Sequence, residues 1–416
     1  MAKPRPQGWF RRNWKWLVSL YLVLLGGSHV VTGLNRSNWE ELEPPRQIIE
    51  VEGKRLAYLE WGAQFGGTPI ILVHGTPSRG AADFETLGEA LARQGRRRVI
   101  ALDRWGWGSS ERWVPDYSFL SDANAVVGLM DQLGIPKAHL VGMSYGGGPV
   151  LLLAERDPKR VQSVTLIAAM GAMKGEGSGH YLVEQAKYLA GYPLVMAAGE
   201  LIPHFGLLGS RADRHSLMQD FRDCDQRTME GHLRDMRAPL LLVHGKNDPL
   251  VAAWVAWYHH EVQPASRLVL LDASHFFAFG GEGDDSFETT TEEITAFARA
   301  ADTGTTPKQN GFRNETDWRD VHGLWGAGPK WRGYKPLWMV AAVSLVVGLF
   351  LPRTGAGLAG LGGGLLLFDF LTALVVEILA GLVKRREGIR RGKLVLVQIG
   401  IAIPCALVGG FVMMVI

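Results

Sequence analysis

Ser144, Asp248 and His275 are the residues whose types, settings and chain order could together perform acyl-transfer chemistry. Ser144 stands in "LVGMSYGGG", a single hydroxyl between an apolar run and a helix-like one, with Gly142 two residues before it and Gly146 two after. A serine becomes a useful nucleophile only where it projects from a strand end, clear of its own sheet and close to a base. The turn that achieves this is sharp, and side chains two before and two after the serine would collide with neighbouring elements; glycine removes the collision. A helix beginning after Ser144 would also aim its first amides and its dipole at a developing oxyanion.

Asp248 closes the apolar run "LLLVHGKND", where a carboxylate could hold an imidazole in one tautomer and stabilise its cation. His275 closes the next run, "LVLLDASH", and the order Ser, Asp, His is one of three in which such a triad occurs. An acid might instead have followed the run 161–170, but "IAAMGAMKG" offers none. In "HGTPSRG", His74 and Gly75 turn the chain so that the backbone N–H of Thr76 can meet that of Tyr145 as a pair of oxyanion donors. His74 itself reads as structural, since no acidic partner travels with it. Asp103 in "DRWGWGSS" reads as a carboxylate that orders its turn through backbone hydrogen bonds.

Other chemistries find little support. Two cysteines, Cys224 and Cys405, make neither a disulfide framework nor a thiolate metal site, and His180, His204 and His215 lack metal-ligand spacing, so no metal or cofactor is expected. The segment Gly355 to Gly360 satisfies G-x-G-x-x-G, but no strand precedes it; close helix packing through small residues explains it better than a dinucleotide. With a net charge of +3 and basic residues gathered at the ends of apolar runs, no stripe for nucleic acid forms.

The elements that must position these residues lie between about 46 and 302. "QIIEVEGKRLAYLEWG" reads as a hairpin turning at Glu52-Gly53. Continuous apolar runs follow at 69–75, 96–103, 138–144, 161–170, 239–248 and 266–275, with helical periodicity between them, for example Val126, Leu129, Met130 and Leu133. Short runs of this kind suit strands buried on both faces, so the fold class is α/β: a mostly parallel sheet covered by helices. Residues 171–236 separate two strands by more than a crossover needs, which fits a helical lid that shapes the acyl site.

Outside this region the sequence reads as membrane-bound. A basic tail (1–15) precedes Trp16 to Leu34, uncharged over 19 residues and about 28 Å long as a helix, close to a bilayer core. A linker at 35–45 joins it to the central domain, and a Trp-rich interfacial linker at 303–336 leads into a membrane domain at 337–416. That domain holds about three apolar segments: 337–351, 355–383 with Asp369 and Glu377 inside it, and 394–416. The basic start and the loop Lys384 to Lys393 both favour the cytoplasm, yet four spans would put them on opposite sides. A consistent alternative lets either the first or the fifteen-residue segment lie in the interface, and the side of the central domain stays open. An integral protein of the plasma (inner) membrane is expected.

Together "HGTPSRG", "DRWGWGSS", "GMSYGG", "HGKND" and "DASH" resemble the α/β-hydrolase fold superfamily over about 60% of the chain. The resemblance implies Ser144 as nucleophile, His275 as base, Asp248 as acid, and Thr76 with Tyr145 as oxyanion donors. Dehalogenases and epoxide hydrolases of that superfamily carry aspartate where Ser144 stands, and the proline-aminopeptidase branch carries "HGGPG" where this chain has "HGTPS". The expectation is a membrane-anchored serine hydrolase acting on a small-molecule or lipid ester, with membrane lipids as its surroundings. A peptidase or amidase would use the same triad, and a scaffold or transport protein whose hydrolase domain only binds, or whose Asp369 and Glu377 handle ions, is the alternative of another class.

Overall fold

The computed structural model describes residues 9–42, 45–173, 181–248, 250–280 and 283–306. The expected apolar segments at 337–351, 355–383 and 394–416, the linker beyond residue 306, Asp369, Glu377 and His180 lie outside the described residues. Among the described residues eight strands form one sheet: β1 (Gln47–Val51), β2 (Lys54–Trp61), β3 (Ile70–Val73), β4 (Val99–Leu102), β5 (Ala138–Met143), β6 (Val161–Ile167), β7 (Leu240–Gly245) and β8 (Arg267–Leu271). They are arranged in the order β1-β2-β4-β3-β5-β6-β7-β8. The first two strands pair antiparallel, with Val51 opposite Lys54. Glu52 and Gly53 both adopt positive φ (54° and 71°), the two-residue turn that matches strand twist. β2 also pairs antiparallel with β4, and the remaining neighbours, from β4-β3 to β7-β8, run parallel.

Both faces of the sheet are covered, which is why its strands read as unbroken apolar runs. Side chains alternate along β3: Ile71 and Val73 enter one core, Ile70 and Leu72 the other. The first core packs against α3 (Phe119–Gln132), α4 (Gly147–Arg156) and α8 (Trp254–Val262); the second packs against α2 (Glu85–Gly95) and α9 (Asp285–Thr303). The chain moves from β3 outward to β4 and then returns to the far side of β3 as β5. Strand order reverses there, and a crevice opens beyond the carboxyl ends of these two strands.

The segment between β6 and β7 is helical, as its length implied, and contains α5 (Tyr181–Leu201), α6 (Arg211–Asp223) and α7 (Met229–Asp235). Serine caps start α6: Ser210 accepts from the Asp213 amide while the Asp213 carboxylate accepts from the Ser210 amide. At the N-terminal side α1 runs from Trp9 to Leu42, longer than the expected 16–34 span, so part of the basic tail and most of the linker are helical. No proline interrupts this stretch until Pro44-Pro45, which explains the extension. Among the described residues α1 alone contains a stretch, Asn13–Leu34, long and apolar enough to cross a membrane.

Candidate active site

Ser144 follows β5 directly and has φ +51°, a left-handed conformation that a residue with a side chain adopts only under tertiary constraint. The glycines around it remove the collisions foreseen from the sequence. A Cβ on Gly142 would lie 2.4 Å from the carbonyl oxygen of Gly146, and one on Gly146 would lie 2.2 Å from that of Val73. The turn after β3 is equally close, since a Cβ on Gly75 would sit 2.8 Å from the Ser144 Cβ. A short 3-10 turn at 144–146 then leads into α4.

Asp248 follows β7 and His275 follows β8, so the parallel register brings both to the same edge as Ser144. His275 Nδ1 donates to Asp248 Oδ2 at 2.6 Å, while the other carboxylate oxygen accepts from the amides of Leu250 (2.7 Å) and Val251 (2.9 Å). His244, which the sequence reading passed over, donates from Nε2 to the Val251 carbonyl at 2.9 Å and stands 3.4 Å from Asp248 Oδ2. Burial alone would raise the Asp248 carboxyl. The attraction of His275 and the hydrogen bonds from His244 and His275 outweigh it and hold the group well below the usual carboxylate range. Asp248 is therefore an anion fixed from three sides, and it commits the Nδ1 proton of His275, which leaves Nε2 as the basic nitrogen.

Ser144 and His275 line one pocket together with Gly75 and Thr76, and Met143, Leu250, Phe276 and Phe279 give it an apolar wall. Tyr145 is fully buried beneath it, its hydroxyl donating to the carbonyls of Tyr117 (2.9 Å) and Asp220 (3.1 Å). His74 is structural as expected. Its Nδ1 donates to the Gly75 carbonyl at 2.8 Å and its Nε2 accepts from the Arg104 amide at 2.9 Å, a pattern that requires the neutral ring. Asp103 accepts from the amides of Ala81 (2.5 Å) and Ser109 (2.7 Å) and orders its loop. The histidines His204 and His215 are packing groups: His215, for example, lies 4.3 Å from the Trp113 ring and bonds Tyr192.

Behind the Thr76 loop lies a buried charge cluster that no short sequence motif announced. Arg104, wholly buried, donates to Asp122 (2.6 Å), to Asp220 (2.9 Å), to the carbonyls of His74 (3.1 Å) and Gly75 (3.2 Å), and to the Thr76 hydroxyl (3.1 Å). Thr76 Oγ1 and Trp107 Nε1 also donate to Asp220. Burial pushes Asp122 up to about 7 and raises Asp220, each against the pull of the shared guanidinium, because two carboxylates lean on one cation. Asp220 belongs to α6 of the insertion, so the insertion reaches the back of the Thr76 loop through this carboxylate.

Residues 68–216 match the family model described as alpha/beta hydrolase fold. The chain has the α/β-hydrolase fold. It is 41% identical over 140 residues to the dihydrolipoyllysine-residue acetyltransferase component of an acetoin cleaving system from Pseudomonas putida, covering 33% of this chain and 36% of that one. It is 38% identical over 106 residues to 2-hydroxymuconate semialdehyde hydrolase of the same organism, covering 25% of this chain and 37% of that one. The chain thus spans little more than a third of either relative. A putative carbamate hydrolase from Azorhizobium caulinodans is 28% identical over 238 residues, 51% of this chain and 86% of that one.

Proposed function

We propose that the chain is a membrane-anchored serine hydrolase that cleaves carboxylic esters of amphiphilic or lipid molecules. The observation that carries this reading is the 2.6 Å bond from His275 Nδ1 to a buried, strongly acidic Asp248, with His275 and Ser144 lining the same pocket. His275 Nε2 takes the proton of Ser144, whose oxygen attacks the ester carbonyl. The oxyanion rests on the amides of Thr76 and Tyr145, and the tetrahedral intermediate collapses as His275 protonates the leaving alcohol. Water, deprotonated by His275, then adds to the acyl-enzyme; collapse releases the acid and returns the proton to Ser144. Phe276, Phe279, Leu250 and Met143 suit an apolar acyl group, and α1 would hold the pocket near lipid.

A second reading keeps the triad and changes the bond. The name of the carbamate hydrolase relative favours cleavage beside nitrogen, as in an amidase or carbamate hydrolase. Purified full-length chain in detergent should label with a fluorophosphonate, and Ser144→Ala should abolish labelling; labelling that persists refutes Ser144 as nucleophile. Turnover of p-nitrophenyl esters above aminoacyl amides and aryl carbamates supports the ester reading, and the reverse order replaces it with the second.

A further inference from the structure

The outer face of α5 is apolar where a water-exposed helix should be polar. Leu182, Leu189, Leu194 and Leu201 recur at helical spacing and are all exposed, Leu189 by 69%, and Ile202, Phe205 and Leu207 continue the patch past the helix end. The opposite face, with Tyr188 and Val195, packs against α6 in the usual way.

The end of this patch is fastened to α1. Ser28 Oγ accepts from the amides of His204 and Phe205, each at 2.7 Å. The Tyr21 hydroxyl donates to the Leu201 carbonyl, and His29 Nε2 donates to the Glu200 carbonyl at 3.1 Å. These are backbone groups at a helix terminus that water would ordinarily satisfy. In hydrocarbon they need protein partners, and α1 supplies them. The contacts also fix a level. Ser28 and Tyr21 stand 6 and 13 residues before Leu34, the last residue of the apolar stretch, or roughly 9 and 20 Å along the helix at its rise per residue. Glu200, the charged residue next to Leu201, is paired with Arg214 at 2.7 Å.

We propose that the face of the insertion formed by Leu189, Leu194, Leu201, Ile202, Phe205 and Leu207 is immersed in the acyl layer of the bilayer that α1 crosses. This rests on reading α1 as a membrane span. The bilayer is favoured over a protein partner because the patch is continuous with that span and its backbone ends are capped at the span's own depth. The hydrolase domain then touches lipid through its insertion as well as through its anchor, and α6, on which α5 packs, links the immersed face to the Thr76 loop through Asp220.

Depth-dependent fluorescence tests this. Full-length chain with Cys224 and Cys405 changed to alanine carries one new cysteine at a time, Leu194→Cys, Leu207→Cys, Leu24→Cys on α1 or Ile48→Cys on the sheet edge, each labelled with an environment-sensitive dye. The proteins are reconstituted in phosphatidylcholine–phosphatidylglycerol vesicles. The expected result is blue-shifted emission at 194 and 207, quenched by acyl-chain spin-labelled lipid as strongly as at 24, with iodide quenching confined to 48. Iodide quenching at 194 and 207 overturns the proposal, as does shielding from both quenchers, which would mean that a second copy or another segment of the chain covers the face. A wet Leu24 position overturns the membrane reading itself. Fluorophosphonate labelling of each variant reports separately on folding and on the hydrolase reading.

Discussion

Arg104→Gln is the substitution whose cost the structure fixes most tightly. The guanidinium is the cation that the buried carboxylates Asp122 and Asp220 share, and both carboxylates sit in a site with no exposed surface to speak of. Asp122 already lies at about 7 with the arginine present, so it is half-protonated near neutrality. Removing the charge lets Asp220 climb too, and it must then be buried neutral. Protonating a group of ordinary value 3.8 at pH 7 costs about 1.36 kcal/mol for each of roughly three pH units, a ceiling of about 4 kcal/mol relative to the unfolded chain, reduced by the part the already raised Asp220 costs the wild type. That agrees with the roughly 3–5 kcal/mol typical of breaking a buried ion pair from one side. The sign follows from linkage. A carboxyl whose folded value is raised contributes stability in full below its unfolded value and loses it as pH rises, so the deficit should shrink to about 2 kcal/mol at pH 5. Denaturant unfolding of wild type and Arg104→Gln in detergent, followed by tryptophan fluorescence at pH 7 and pH 5, measures both numbers. A deficit under about 1 kcal/mol at pH 7, or one equal at the two pH values, would refute the shared-cation account.

Two further outcomes follow from the same coordinates. Gly146→Ala places a methyl 2.2 Å from the Val73 carbonyl and 2.7 Å from that of His74, backbone atoms that cannot yield, and should cost about 3 kcal/mol in thermal melts; a loss below about 1 kcal/mol contradicts the packing described. His259 is wholly buried and accepts from the Ala172 amide at 3.3 Å; burial, then the neighbouring His244, lowers it to about 3. The unfolded chain binds this proton near 6.5 and the folded chain does not, so stability is complete above 6.5 and should fall by about 1 kcal/mol between pH 7 and 5.5. His259→Gln should flatten that slope in paired denaturant titrations, and an unchanged slope would assign the acid sensitivity elsewhere.

How much was legible in the sequence depended on the range of the interaction involved. The strands and the hairpin at Glu52-Gly53 were readable because unbroken apolar runs and turn chemistry are local signals, and β3 to β8 each fall inside one of the apolar runs of the sequence. Gly142 and Gly146 were readable for the same reason, since each glycine answers to backbone a few residues or one strand away. Asp248 and His275 could be placed because parallel strands end at one edge, so a residue just past β7 and one just past β8 must be neighbours. Arg104, Asp122 and Asp220 could not. Asp220 meets Thr76 across 144 positions of sequence, from inside a helix whose composition gives no hint of the partner. The seating of the insertion was unreadable for a related reason: helical length between strands shows that an insertion exists, while its seating involves a salt bridge that only the folded chain assembles. Among the described residues, the Asp220 carboxylate ties the insertion to the back of the Thr76 loop. A lateral shift of α6 would be felt at Thr76, itself a wall of the Ser144 pocket, through the Asp220 carboxylate.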